Sequence, residues 1–204
     1  MASRLRWFIG LVGVTALFAS FAGSTSAGLL GTGTASYCDP YSFLAFKPWG
    51  DTSNYMLMPG GSFEEGTPAW KLSGGAKIVS GNEPFYIRSK TDRRSLYMPA
   101  GSTATSPTMC FAAGDWHLRF VGMSPTKASK VRVTVTVNSL LGLLSILDGG
   151  TVSNDGTWRP SPKVGLLLTN VGGLLTTKAI SVRLAATSGA STIDDAYLDP
   201  FKDT

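Results

Sequence analysis

The chain has 204 residues, is 43% hydrophobic and only 15% charged, and carries a formal net charge of +5. That charged fraction is low beside the roughly 25% of an average globular domain, which excludes a charge-rich disordered chain. The length suits one domain with a full core, and the basic residues are too scattered for a nucleic-acid footprint.

The N-terminus reads as a targeting segment. Arg4 and Arg6 precede an uncharged run of 17 residues, Trp7 to Gly23, and Ser24-Thr25-Ser26-Ala27 supplies small residues for a signal peptidase. Cleavage after Ala27 is the expectation, with Ala35 as a second site and an uncleaved membrane anchor as the alternative. Residues 1–27 hold two Arg and no acid, so the exported chain has 16 basic and 13 acidic residues, net +3. Its two cysteines, Cys38 and Cys110, lie in an oxidising compartment and are expected to form one disulfide. That bridge would close a loop worth roughly 4 kcal/mol by chain entropy.

Residues 28–53 show no strand or helix period and predict an extended arm whose aromatics, Tyr41, Phe43, Phe46 and Trp49, pack on the domain. The domain itself is expected over 54–204. Asn54 to Met58 predicts a short strand. Gly60 to Trp70 then reads as turn, buried Phe63, the acids Glu64 and Glu65, a second turn, and Trp70 opening the next strand. Ala76 to Val79, Glu83 to Arg88 and Ser95 to Met98 predict further short strands, the second with Phe85 and Ile87 inward and Tyr86 and Arg88 outward. Ala104 to Phe111 crosses Pro107, so an edge or bulge is expected there.

Asp115 to Met123 alternates Trp116, Leu118 and Phe120 against His117, Arg119 and Val121. Lys130 to Asn138 is the clearest strand, with Val131, Val133, Val135 and Val137 on one face. Leu140 to Leu147 is expected to return as its hairpin partner through Gly149-Gly150. Trp158 to Leu168, limited by Pro160 and Pro162, Lys178 to Ala186, and Ser191 to Phe201 complete the set. Nine to eleven short strands without a major helix predict an all-β, two-sheet antiparallel sandwich of jelly-roll type.

The motif order carries a resemblance. Gly-Gly-Ser-Phe-Glu at 60–64, Trp70-Lys-Leu-Ser-Gly-Gly-Ala, Gly156-Thr-Trp, Val182-Arg-Leu and Ile193-Asp-Asp-Ala-Tyr-Leu follow one another over roughly 54–201. This resembles the galactose-binding-like jelly roll of secreted bacterial carbohydrate-binding modules, and it is also similar to stand-alone secreted bacterial proteins of unknown function. The resemblance implies a non-catalytic module for carbohydrate or cell-envelope glycan. It also implies a structural Ca²⁺ held by Glu64 and one of Asp194 and Asp195, hard oxygen donors suited to that ion.

Sugar contact calls for outward aromatic and polar groups, and the outward positions nominate Tyr86, Arg88, Tyr97, His117 and Arg119. Two other readings stay open. One is a structural or interaction protein of the cell surface with no sugar site, for which Leu140–Leu147 and Val164–Leu175 are the apolar segments to inspect. The other is a glycoside-processing enzyme using the Glu64/Glu65 and Asp194/Asp195 carboxylates. No nucleophile–base constellation supports catalysis, so no enzyme is expected.

Overall fold

The computed structural model describes residues 41–64, 70–111, 115–138, 144–167 and 178–199. The expected leader at 1–27, Cys38 of the expected disulfide, and much of the Leu140–Leu147 and Val164–Leu175 segments lie outside these residues. Among the described residues thirteen strands run in chain order: β1 (Met56–Leu57), β2 (Lys71–Ser73), β3 (Lys77–Ser80), β4 (Arg94–Met98), β5 (Thr103–Thr105), β6 (Met109–Phe111), β7 (Asp115–Met123), β8 (Ala128–Asn138), β9 (Leu144–Asp155), β10 (Arg159–Pro160), β11 (Val164–Leu167), β12 (Lys178–Ser188) and β13 (Ser191–Asp199). The only helical element among the described residues is a 3-10 turn at Lys47–Trp49. Among the described residues no helix is long and apolar enough to cross a membrane.

The strands form two antiparallel sheets, as the period-2 pattern predicts. The seven-stranded sheet runs β10-β7-β13-β4-β3, with β1 also on β13 and β11 also on β7. The six-stranded sheet runs β2-β5-β12-β8-β9, with β6 also on β12. Leu118 and Phe120 from β7, Leu96 and Met98 from β4, the four valines of β8, and Ile180, Val182 and Leu184 of β12 fill the space between the sheets. The strand count exceeds the expected nine to eleven partly because prolines cut two expected strands. Pro107 separates β5 from β6, and both pair with β12. The Ser161-Pro162 stretch separates β10 from β11, and both pair with β7. A proline has no N–H to give a ladder, so pairing lapses there and resumes beyond it.

One expected strand is absent. Glu83 to Arg88 is a loop, because the buried Glu83 carboxylate accepts the N–H groups of Phe85 and of Ile87, the latter at 2.7 Å, and curls the chain around itself. Tyr86 takes a left-handed φ of 52°, and Phe85 and Tyr86 are both exposed while Ile87 is half-buried. Phe85 therefore does not face inward as the alternation predicts. A side-chain carboxylate satisfying local amides outcompetes the ladder here.

The aromatics of the described part of the arm divide: Phe46 is fully buried, while Tyr41 is 72% and Trp49 38% exposed. Phe43 bridges to Tyr55, and Ala45, Phe46 and Tyr55 make a second apolar cluster with Val121 and Tyr197. Since Val121 and Tyr197 alternate with core residues on β7 and β13, this cluster lies on the outer face of the seven-stranded sheet. Three ring pairs meet edge-on there, Phe46 with Tyr55 at 5.0 Å, Phe46 with Tyr197 at 5.6 Å and Phe43 with Tyr197 at 5.7 Å, an arrangement that aromatic quadrupoles favour.

The two ends of the domain meet through the backbone. The Met58 amide donates to the Ala196 carbonyl and the Ala196 amide to the Gly61 carbonyl, both at 2.9 Å. Phe63 and Trp70 are buried and pack edge to face, and the Trp70 indole donates to the Pro59 carbonyl. A Cβ at Gly61 would stand 2.6 Å from the Ala196 carbonyl oxygen. Gly61→Ala is therefore expected to part this junction and to cost about 1–3 kcal/mol of stability, read as a lower midpoint in urea unfolding. An unchanged midpoint would show that the junction carries no strain-sensitive contact.

Candidate functional site

Arg119 sits on β7 with its side chain on the outer face of the seven-stranded sheet, and the arm has closed over it. Its Nη1 lies 2.6 Å from Asp51 Oδ2, its Nε donates to the Ser161 carbonyl at 2.9 Å, and its guanidinium carbon stands 4.3 Å from the centre of the Phe46 ring. Asp51 also accepts from the Tyr55 hydroxyl at 2.7 Å and the Ser53 amide at 3.1 Å, and Lys163 Nζ approaches its other oxygen at 3.3 Å. Burial by itself pushes the Asp51 pKa up. The bonds from Tyr55, Ser53, Arg119 and Lys163 outweigh it and hold the carboxyl well below the usual range. Asp51 thus ties the arm to the sheet as an anion down into the acid range.

Beside this pair a cleft of about 350 Å³ opens between three segments: the arm, the 81–93 loop and the turn before β10. That volume falls in the range of about 300–1,000 Å³ usual for small-ligand clefts. Trp49, Phe85 and Trp158 supply rings, Thr157 and Arg159 supply polar groups, and Arg119 also lines the cleft. Trp49 is 38% and Phe85 41% exposed, and their rings meet edge-on at 4.9 Å. Each segment is held by its own device. The 3-10 turn carrying Trp49 begins with Pro48 near its start and ends at Gly50 with a left-handed φ of 80°. The 81–93 loop is curled by Glu83. The 157–161 turn is stitched to β7 by a pair of bonds, Ser161 N–H to the Phe120 carbonyl and Phe120 N–H to Ser161 Oγ. Both arginines here already have carboxylates, Asp51 for Arg119 and Asp155 for Arg159 at 3.2 Å, so the cleft is close to neutral.

Of the five nominated residues, only Arg119 lines this cleft. Tyr86 is 46% exposed beside Phe85. Arg88 lies in the same loop and turns to Asp92 at 3.3 Å. Tyr97 lies on β4, half-buried between Lys77 and Thr192. His117 lies on β7 between Asp199 and Gly165, half-buried, with Nδ1 lacking a hydrogen-bond partner. Trp49, Phe85 and Trp158 were not nominated. Trp49 and Phe85 follow prolines in short irregular stretches, where a large ring has little core to enter, and that placement is the signal that marks them.

The acids expected to hold calcium accept backbone amides. Glu64 Oε1 accepts the amides of Arg93 and Arg94 at 2.8 and 2.6 Å. Asp194 accepts the Glu83 amide at 3.1 Å and the Asp195 amide at 2.9 Å, and Asp195 Oδ2 accepts the Arg88 amide at 3.3 Å. Asp195 stands at a bulge in β13 with a left-handed φ of 47°, and its Oδ1 is buried without a partner. Burial first, then the neighbouring Asp195 and Glu83, push the Asp194 carboxyl up to about 9; burial, Glu83 and Asp92 push Asp195 up to about 7. Among the described residues no three Asp, Glu, His or Cys side chains group closely enough to hold a metal ion. Glu64, Asp194 and Asp195, together with Glu83, accept amides of the 81–94 stretch and pin it.

No protein-family model matches the chain, and no curated protein matches it. Solved structures do align with it. A carbohydrate-binding module solved with β-1,4-galactotriose is 18% identical at a TM-score of 0.43, covering 72% of this chain and 98% of its own. A xylan-binding domain from Paenibacillus barcinonensis is 14% identical at 0.46, covering 71% and 94%. A family 11 carbohydrate-binding module of a Clostridium thermocellum cellulosomal cellulase is 15% identical at 0.41, covering 76% and 99%.

Two outcomes follow from the anchoring carboxylates. Asp51→Ala leaves Arg119 buried without its anion and is expected to cost about 3–5 kcal/mol. The folded-state pKa of Asp51 lies below the unfolded value of about 3.9, so its contribution is complete above that value and is lost as pH falls through the acid range. The stability gap between wild type and Asp51→Asn should therefore be full above about pH 4 and narrow progressively as pH falls below it; a gap that stays constant through the acid range would mean that the carboxylate charge does not hold the arm. Separately, a melt with and without EDTA should give one and the same Tm, because amides already occupy the Glu64 and Asp194 oxygens. A lower Tm in EDTA would show that an ion is part of the fold.

Proposed function

We propose that the protein is a secreted, non-catalytic carbohydrate-binding module that takes a neutral glycan in the cleft of Trp49, Phe85 and Trp158. The observation that carries this reading is the open, charge-balanced, aromatic-walled cleft itself. Sugar rings present apolar C–H faces and a rim of hydroxyls. Exposed rings accept the first, and Thr157, Arg159 and the nearby backbone can meet the second. Isolated exposed aromatics are ordinary on protein surfaces, but here two exposed rings, Trp49 and Phe85, touch each other and share one cleft with the half-buried Trp158.

The export reading rests on residues 1–27, and the resulting partner class is an extracellular or cell-envelope glycan. Binding here needs no carboxylate pair. The buried acids are engaged by backbone amides, which favours a binding role over the glycoside-processing alternative.

The test is affinity electrophoresis and calorimetry against soluble neutral polysaccharides, such as galactans, xylans and mixed-linkage glucans. Trp49→Ala is expected to weaken the bound polymer about tenfold, equivalent to about 1.4 kcal/mol, with an unchanged melt, and Phe85→Ala is expected to act in the same direction. If no neutral polymer binds, or if both variants bind as wild type does, the cleft is not a glycan site and the surface-interaction reading takes its place.

A further inference from the structure

The outer face of the six-stranded sheet differs from the aromatic cleft in every chemical respect. The valines of β8 and the Ile180–Ala186 alternation of β12 face the core, so the residues between them face out. In register across the strands, Lys71 of β2 pairs with Thr105 of β5, Thr105 with Arg183 of β12, and Arg183 with Thr134 of β8. The same face of β8 carries Lys130 and Arg132 two residues apart. Lys71, Lys130, Arg132 and Arg183 are all exposed.

The opposing charge is small. Asp148 of β9 pairs with Arg132 through two bonds, at 2.7 and 3.3 Å, and so neutralises one cation. Among the described residues Lys71, Lys130 and Arg183 have no carboxylate partner. Neighbouring strands stand about 4.8 Å apart. Reading across the sheet from β2 to β8 therefore meets a cation, a hydroxyl, a cation and a hydroxyl at that step, with no large ring in between, and the row ends on β9 at Asp148, the carboxylate that engages Arg132. Three unneutralised cations on one face attract polyanions more than neutral chains, and the interleaved threonines both donate and accept, so they can also bond the hydroxyls that an acidic sugar chain carries and a bare phosphate chain lacks.

We propose that this face is a second binding surface, and that its occupant is a linear acidic polysaccharide, a polyuronate, lying across β2, β5, β12 and β8. Its carboxylates meet Lys71, Arg183 and Lys130, and its hydroxyls meet Thr105 and Thr134. The surface lies on the opposite sheet from the aromatic cleft and shares no residue with it, so the two stand or fall separately.

The test is retardation of the full chain in native gels containing polygalacturonate at low ionic strength. Fully methyl-esterified pectin, inorganic polyphosphate and duplex DNA run as parallel arms. Wild type should be retarded by polygalacturonate, lose that retardation as salt is raised, and pass freely through the methyl-esterified polymer. The triple variant Lys71→Gln/Lys130→Gln/Arg183→Gln should lose about tenfold in affinity while keeping its melting temperature and any binding of neutral glycan. Absence of retardation by polygalacturonate, or equal retardation of the triple variant, overturns the proposal. Equal or stronger retardation by polyphosphate or DNA overturns it too, since that response reports charge without the polymer's hydroxyls.

Discussion

Arg119 points out of the seven-stranded sheet, where its guanidinium would otherwise meet solvent, and the arm has closed over it. The contact that makes this closure tolerable is the carboxylate of Asp51, which sits 2.6 Å away and is itself held by Tyr55, Ser53 and Lys163. A buried cation without an anion is costly, and a buried pair with every lone pair used is not. With that pair in place the arm can lay Phe46 and Tyr55 on Tyr197 and Val121, and Trp49 arrives at the lip of the cleft. Remove the pair, and the apolar cluster would have to cover an unpaired charge.

The second outer piece, the 81–93 loop, is held on the same principle with the roles reversed. Here carboxylates gather backbone amides. Glu83 serves its own loop, Asp194 and Asp195 serve it from β13, and Glu64 receives the amides of Arg93 and Arg94 at its exit. Crowding buried acids raises their pKa values, as Asp194 and Asp195 show, so the loop is pinned with fewer negative charges than its acids could carry. Phe85 is exposed because this pinning consumes the loop's amides and leaves the side chain nowhere inward to go. Two of the cleft's three walls are thus set by polar anchors, and the Ser161 bonds to β7 hold the third.

What the sequence made legible follows from what kind of force set each feature. The long alternations, Val131 to Val137 and Ile180 to Leu184, report burial of one sheet face, a force that acts on every second residue and leaves a pattern. They placed β8 and β12 almost to the residue. Asp194-Asp195 was readable as important, and the meeting of 58–61 with Ala196 bears out the pairing of the two ends. Its partners were not readable, because Glu83 lies 111 residues from Asp194 and nothing local announces the contact. Glu83 to Arg88 misled for a related reason: its alternation is real, but one carboxylate bonding to amides two and four residues on outweighs it. His117, Arg119 and Tyr97 were rightly read as outward, yet outward from a sheet is not the same as exposed when an arm folds over that face.

That distinction separates the two outer faces of the sandwich. The seven-stranded sheet has spent its outer surface on the arm and the loop, so whatever it recognises must be met at the edge where those pieces fail to close, and there the rings of Trp49, Phe85 and Trp158 remain. The six-stranded sheet has no described segment pinned across it by such polar anchors, and its outward residues include short hydroxyls and long cations, beside Asp148 and the exposed Ile146 of β9. One face therefore offers depth and aromatic surface with charges already balanced, and the other offers breadth and unbalanced charge. A single closed core can carry both because each face draws only on the residues that alternate away from it, and substitutions on one leave the packing beneath the other untouched.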